Sequence, residues 1–475
     1  MRYLIYSYCF ETPHFETELE IALKLKDQGH EVFFLICKAD LQTCFVNPDH
    51  NKAVCSFCKS KIVNGLNAIG IPENKILNFK KFAVNETFYK GALESLSTLK
   101  AFRYKNSDIG LAVASSIISA CRDHYFEISK YQDKIKTGLE TAIMVHETFD
   151  AILKDIKPDG VIMFNGRFLE VRPIMRLCEK MNIEFFTHER GGQLDRYMFR
   201  KNSTPHNIAF VKKEMEELWK NGPDDKEEIG RKFFEDRRNK VIQQWHVFTE
   251  NQVEGDLPAG FDQAKRNIGI FNSSMDEYEG IADFNNKLYT DDNEGIEQIC
   301  KDFLPYPEFH FYLRVHPNLA GLDNAQNKKI AEIKERFSNL TVIPPDDKID
   351  SYALMEAVEA VISFGSTMGI EAIYWHKPSI LLGRAFYENL DGLIKPGNHP
   401  EVVQSIKNKK ETQTGLSAIK YGYWCLTYGT KFELFKPESL FKGTILGKRI
   451  TASLLPRLRR KYRYHLDKLT NGSKL

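Results

Sequence analysis

Two short segments of this chain carry side chains of the kind that grip an anion. One is Arg314-Val-His316-Pro317, where a guanidinium and an imidazole end a strand-forming run, His310-Phe-Tyr-Leu. The other is Ser363-Phe-Gly365-Ser366-Thr367-Met-Gly369-Ile-Glu371, in which an apolar strand, Ala360-Val-Ile-Ser, passes through small residues into a helix start. A helix start offers backbone N–H groups without intrahelical partners and the positive end of a dipole. The two segments predict a site for a phosphorylated ligand. Arg314 and His316 supply cationic donors, while Ser363, Gly365, Ser366 and Thr367 supply hydroxyls and close backbone approach. Glu371 could accept hydrogen bonds from ribose hydroxyls. Helix capping by Ser366 or Thr367 is the plainer role for the same loop, and both can hold together. Ser273 and Ser274, in Asn272-Ser-Ser-Met-Asp276, end another strand and join this donor-binding set.

A second group of residues could move a proton. His14 follows the first strand, and a neutral imidazole there could take the proton of an acceptor hydroxyl, oriented by Glu16 or Glu18. Glu189, in Glu189-Arg-Gly-Gly192 at another strand end, is the rival base, with Arg190 expected to keep it ionised. Asn165, Arg167 and Arg190, with Arg172, could hold an acidic or polyhydroxylated acceptor. Cys55-Ser-Phe-Cys58 has the spacing of a zinc knuckle and follows Cys37 and Cys44. A structural zinc on these four cysteines and four reduced thiols are both open readings.

Strands and helices alternate throughout, as needed to bring strand ends together. Arg2–Tyr8, a helix from Glu18 to Asp27, and Glu31–Cys37 form a βαβ unit. The stretch from about 80 to 155 is helical, and strands follow at 160–164 and 183–187. Residues 221–244 are charge-dense and read as a solvated helix. A second alternating run starts at Asn267-Ile-Gly-Ile-Phe271. The expected fold class is α/β, with two doubly wound Rossmann-like domains facing a cleft. An N-terminal α/β domain with a helical insertion is placed at 1–255, a second α/β domain that holds the phosphorylated ligand at 262–430, and a basic tail at 431–475.

The length of 475 residues fits two cores, and 42% hydrophobic with 27% charged residues describes a globular chain. A net charge of +2 argues against nucleic-acid binding. No apolar run approaches a membrane span, the N-terminus does not read as a signal peptide, and nine cysteines do not suggest a disulfide framework. A cytoplasmic protein is expected. Five cations between Arg457 and Arg463 could press against an anionic membrane surface at its inner face.

Arg314-Val-His316-Pro317 and Ser363-Phe-Gly-Ser366-Thr367-Met-Gly-Ile-Glu371-Ala resemble motifs of the capsule polysaccharide biosynthesis family, and the two-domain plan resembles GT-B glycosyltransferases. The same pairs are similar to those by which bacterial sialyltransferases and Kdo transferases hold a CMP-sugar. That resemblance implies that His316 contacts the donor phosphate and that Ser366 and Thr367 bind it. It also implies a metal-independent glycosyltransferase that needs no cofactor and uses a nucleotide-sugar, CMP-sugars favoured. The acceptor would be a surface or capsular polysaccharide or its lipid-linked precursor. A nucleotide-sugar epimerase, a polyol-phosphate transferase and a non-catalytic glycan-assembly subunit are the alternatives. The acidic base motif of the sialyltransferases has no copy here, leaving His14, Glu189 and Asp276 as candidates.

Overall fold

The computed structural model describes residues 1–79, 90–241, 248–408 and 415–470. The chain forms two compact units, one of residues 1–121, 127–205 and 429–475, the other of 122–126 and 206–428. The expected helical stretch from 80 and the charge-dense segment to 244 lie partly outside the described residues.

The first unit runs β1 (Arg2–Ser7), α1 (His14–Asp27), β2 (Glu31–Ile36), α2 (Lys52–Ala68), β3 (Ile76–Asn78), α3 (Leu96–Ala101), α4 (Ile109–Cys121), α5 (Ile128–Ile156), β4 (Gly160–Phe164), α6 (Arg172–Met181), β5 (Glu184–Arg190) and β6 (Arg196–Lys201). The second runs α7 (Ile208–Lys220), α8 (Lys226–Arg238), β7 (Arg266–Phe271), α9 (Asp292–Phe303), β8 (Phe309–Arg314), α10 (Ala325–Arg336), β9 (Leu340–Ile343), α11 (Ser351–Ala357), β10 (Ala360–Ser363), α12 (Met368–Tyr374), β11 (Ser379–Leu381), β12 (Leu393–Ile394), α13 (His399–Lys407) and α14 (Leu416–Thr427). The chain then returns to the first unit as β13 (Thr430–Lys431), β14 (Phe435–Ser439), β15 (Lys442–Ile445) and α15 (Leu454–Thr470).

Both sheets have Rossmann-like order. In the first, β3-β2-β1-β4-β5 are parallel, and β6 and β13 extend the β5 edge antiparallel. The second is wholly parallel, β9-β8-β7-β10-β11-β12. Parallel strands are covered on both faces, so they read as continuous apolar runs: Leu4, Ile5 and Tyr6, or Val361 and Ile362, are all fully buried. The covering helices show the complementary stripe. On α9, Ile296, Ile299, Cys300 and Phe303 recur at helical spacing and pack with Ile268, Phe311 and Leu313 from the sheet. Burying a side chain such as Phe303 contributes about 2 kcal/mol. Asp291, Asn324, Asp350 and Asn398 each cap a helix by accepting a backbone N–H, which fixes where helices leave the strand ends.

The expected domain limits are corrected in two places. Residues 206–255 are not part of the first unit, because α8 packs on α14 of the second. Gly230 and Gly422 let the two backbones meet: a Cβ on Gly230 would lie 2.3 Å from the Ile419 carbonyl oxygen. Phe233 and Phe234 fill the same contact beside Tyr374 and Tyr421. The stretch 431–475 is no separate tail either. Thr430–Lys431 pairs with Tyr197 and Arg196, and buried Glu20 accepts backbone N–H groups of Glu433, Leu434 and Phe435.

Candidate active site

In the second unit, the strand order reverses between β7 and β10, the place where open α/β sheets bind ligands beyond their carboxyl ends. A hollow of about 380 Å³ lies there, and Asn272, His316, Ser366, Thr367 and Arg237 line it. His316 follows β8. Its backbone N–H donates to Asn272 Oδ1 at 2.9 Å, and its Nδ1 accepts the Asn318 N–H at 3.2 Å. An accepting Nδ1 puts the proton of the neutral ring on Nε2, which can then donate to a ligand oxygen. Burial lowers the imidazole pKa to about 4, with Asp276 opposing that shift, so the ring is neutral at neutral pH. The ring also meets Phe248 edge-on at 5.4 Å.

Thr367 is the residue before α12, but its hydroxyl does not cap the helix. Instead its Oγ1 accepts from Arg237 Nη2 at 3.3 Å, and Arg237 Nε donates to Glu371 Oε1 at 3.2 Å. Glu371 is fully buried and its other oxygen accepts the Tyr352 hydroxyl. Sequence reasoning missed Arg237, because it lies in a segment whose charges look solvated. Its only sequence signal is its place in the last turn of α8, four residues beyond the buried aromatic Phe233.

Several expected donor contacts are corrected. Arg314 lines the hollow but its guanidinium donates to the carbonyls of Pro344 and, at 2.9 Å, Asp347, so it braces the loop after β9. Ser363 is fully buried, donating to the Ser366 carbonyl at 3.0 Å. Ser273 is also buried, donating to the Phe364 carbonyl at 2.8 Å, and Ser274 donates to Asp276 at 2.5 Å. From that turn it is Asn272 that reaches the hollow. Glu371 is fully buried, and each of its two oxygens already accepts a hydrogen bond, from Arg237 and from Tyr352. Gly365 has φ +121°, and a Cβ there would stand 2.7 Å from the Arg384 carbonyl oxygen, so its smallness admits protein backbone. The helix start is less open than expected, since the N–H groups of Met368, Gly369, Ile370 and Glu371 all have acceptors within the loop. Asp276 is buried and tied to Arg122 and Ser274, which removes it as a base.

In the first unit the same switch point, between β1 and β4, gathers the other candidates. His14 opens α1 and its Nε2 lies 3.6 Å from Glu189 Oε1 at the end of β5. Asn165, after β4, donates to Glu189 Oε2 at 2.8 Å, and the Arg190 N–H donates to Oε1 at 3.0 Å. Burial raises the Glu189 carboxyl above its ordinary value despite Arg190, and burial with Arg190, His188 and Lys61 nearby lowers His14 well below its own. The pair is thus drawn toward sharing a proton rather than forming an ion pair.

The expected orienting acids point elsewhere. Glu16 pairs with Lys61 at 2.8 Å, and Glu18 accepts from Ser7 and lies 3.3 Å from His188. Two acceptor-side arginines are also committed, Arg167 to Ser119 Oγ at 3.1 Å and Arg190 to the carbonyls of Leu440 and Thr12. Arg172 pairs with Asp108 at 2.6 Å. Cys37, Cys44, Cys55 and Cys58 line one small hollow of about 20 Å³, and burial raises the pKa of each thiol. Among the described residues no group of three or more His, Cys, Asp or Glu side chains is arranged to hold a metal.

Residues 286–423 match the family described as capsule polysaccharide biosynthesis protein. The matched segment contains both Arg314–Pro317 and the 363–372 loop, so the resemblance read from those motifs is borne out there. No curated protein matches the chain. Solved structures similar to it include KpsC, beta Kdo 2,4 transferase, of Thermosulfurimonas dismutans, at 14% identity over 55% of this chain and 78% of that one, TM-score 0.36. KpsC, beta Kdo 2,7 transferase, of the same organism is 12% identical over 67% and 90%, TM-score 0.35. A UDP-GlcNAc 2-epimerase of Neisseria meningitidis bound to UDP-GlcNAc is 14% identical over 90% and 94%, TM-score 0.25.

Proposed function

We propose that this protein is a glycosyltransferase of capsule polysaccharide synthesis. It moves a sugar from a nucleotide-activated donor, CMP-sugars favoured, to a surface polysaccharide or its lipid-linked precursor. The observation that carries the reading is the convergence of His316, Ser366 and Thr367, all inside the family-matched segment, with Arg237 of α8 on one hollow at the switch point of the second sheet. As the bond from the anomeric carbon to the donor phosphate breaks, negative charge collects on the phosphate oxygens. The Arg237 guanidinium, the His316 Nε2–H and the two hydroxyls are fixed donors for that charge, held before the reaction begins. In the first unit, Glu189 with His14 takes the proton of the acceptor hydroxyl, whose oxygen forms the new bond.

Among the described residues no helix is long and apolar enough to cross a membrane. Contact with a lipid surface falls to α15. Leu454, Leu455, Leu458 and Tyr462 share one exposed face of it, with Arg457, Arg459, Lys461 and Arg463 beside them. An apolar stripe edged by cations suits the headgroup region of an anionic bilayer.

Nucleotide release from CMP-, UDP-, GDP- and dTDP-sugars, with and without acceptor glycan, tests the proposal. Release by the wild type that requires acceptor, and its loss in His316→Ala, is the expected result. Unchanged donor binding and turnover in His316→Ala would overturn the mechanism.

A further inference from the structure

Four cysteines that the transfer chemistry does not use come from two elements and meet at one place. Cys37 and Cys44 lie in the irregular segment that follows β2, and Cys55 and Cys58 lie in the first turns of α2. All four line the same hollow of about 20 Å³, which is room for one water-sized atom or ion. Three residues apart on a helix, Cys55 and Cys58 share a face. None of the four is in a disulfide. Two thiol pairs, one from a loop and one from a helix, are the donor set of a closed tetrahedral zinc site.

The surroundings suit thiolates. The Asn47 amide donates to Cys55 Sγ at 3.1 Å and is itself held, its Oδ1 accepting the Asn51 N–H at 2.9 Å. An N–H aimed at sulfur favours the charged form of a thiol, and ligating side chains carry outer contacts of this kind. Cys55 also stands near the start of a helix capped by Asn51, at the positive end of its dipole. Four thiolates around a divalent cation leave two negative charges, and two lysines, Lys38 and Lys59, line the same hollow. Among the described residues the four, as thiols, are not arranged as a ligand set. Cys58 is instead turned to the Tyr8 carbonyl, to which its Sγ donates at 3.7 Å. Loss of the thiol proton ends that bond and leaves the sulfur to turn about its single side-chain torsion.

The segment 37–51 is what an ion here would hold. It contains no helix and no strand beyond one bridge between Cys44 and Asn47, and Lys38, Ala39 and His50 take positive φ. A loop of that length without regular structure needs fastening. Phe45 supplies one fastening: its ring stacks on Phe168 at 4.0 Å and its N–H donates to Glu170. We propose that Cys37, Cys44, Cys55 and Cys58 bind one zinc ion, which ties this loop to α2. Four S–Zn bonds replace four S–H bonds, the protons pass to solvent, and no electron is transferred. With four protein ligands the ion has no position open to substrate, so its role is structural and independent of the transferase reading.

Elemental analysis of the full chain, expressed with zinc and passed over a chelating resin, tests the assignment. The wild type should carry one zinc per molecule, Cys55→Ser with Cys58→Ser should carry none, and Cys121→Ser, outside the cluster, should keep it. Cobalt(II) exchanged for the zinc should give the visible bands of a tetrahedral thiolate complex. A thiol reagent should leave the four sulfurs unmodified until a strong chelator is added, when they react and the melting temperature falls. Should the double variant not fold, the cobalt spectrum and the thiol titration of the wild type decide. Wild type holding no more zinc than the double variant, a cobalt spectrum without tetrahedral thiolate bands, or thiol reactivity unchanged by the chelator would overturn the assignment.

Discussion

Arg237 and Glu371 lie 134 residues apart in sequence and meet at 3.2 Å, the arginine from the last turn of α8 and the acid from the first turn of α12. The glutamate is fully buried, while the arginine keeps about a quarter of its side chain exposed toward the hollow. Glu371 thus holds the guanidinium in place, and Arg237 is positioned to meet the ligand.

Arg237→Gln should separate those two roles. It leaves the Glu371 carboxylate buried beside Tyr352 without a cation, at a cost of about 3 kcal/mol in stability. The double variant Arg237→Gln with Glu371→Gln should recover most of that stability and none of the nucleotide affinity. Urea denaturation and nucleotide titration of the three proteins check both statements.

His316 should register as a pH effect with a defined sign. Its folded pKa of about 4 lies below the ordinary value of 6.5, so the unfolded chain takes up the proton first as pH falls. The wild type therefore loses stability from this residue between pH 6.5 and 4, and His316→Asn should show a shallower loss over that window. A bound phosphate favours the protonated ring, so nucleotide affinity should rise as pH drops below neutrality in the wild type and not in His316→Asn.

Thr367→Val keeps the shape of the side chain and removes the acceptor for Arg237 Nη2. Nucleotide affinity should fall several-fold while the melting temperature moves little, and Thr367→Ser should restore it. Gly365→Ala is the contrasting case: its φ of +121° and the Arg384 carbonyl at 2.7 Å from a Cβ predict a stability loss of about 1–3 kcal/mol.

Glu189→Gln retains an amide where Asn165 and the Arg190 N–H now bind a carboxylate. Donor binding should be unchanged, while acceptor-dependent turnover falls by about 10²–10⁴-fold. In the wild type the rate should climb with pH as the shared proton leaves Glu189 and His14, and that acid limb should vanish in the variant.

Leu454→Asp with Leu458→Asp should abolish co-sedimentation with vesicles containing anionic lipid, and both proteins should ignore neutral vesicles. Turnover on a soluble acceptor should be the same for both.

The part of the site legible in the sequence was the part built locally. His316, Ser366 and Thr367 follow strands whose apolar runs announce them, and a strand end in an alternating α/β chain has only one edge to occupy. His14 and Glu189, which lie 3.6 Å apart, stand near strand ends in the same way. Burial was harder to see. Ser273, Ser274 and Ser363 have the same residue type as a ligand-binding hydroxyl, and only the carbonyls and carboxylate they satisfy show that they are scaffold. Arg237 was invisible because its position depends on α8 lying against α14, and that contact is set by Gly230 and Gly422, nearly two hundred positions apart. The return of 429–445 to the first sheet was equally hidden, since β13 is only two residues long and has no apolar pattern.

The carboxylate of Glu20 has a consequence for synthesis on the ribosome. Its N–H donors are made as many as 415 residues later. Until they emerge, this acid has none of those three amides and must stay hydrated, so α1 cannot settle fully into its native bed. The second sheet, β7 to β12, pairs only strands made before residue 395, and this middle portion should mature first, ahead of the unit whose translation began earlier.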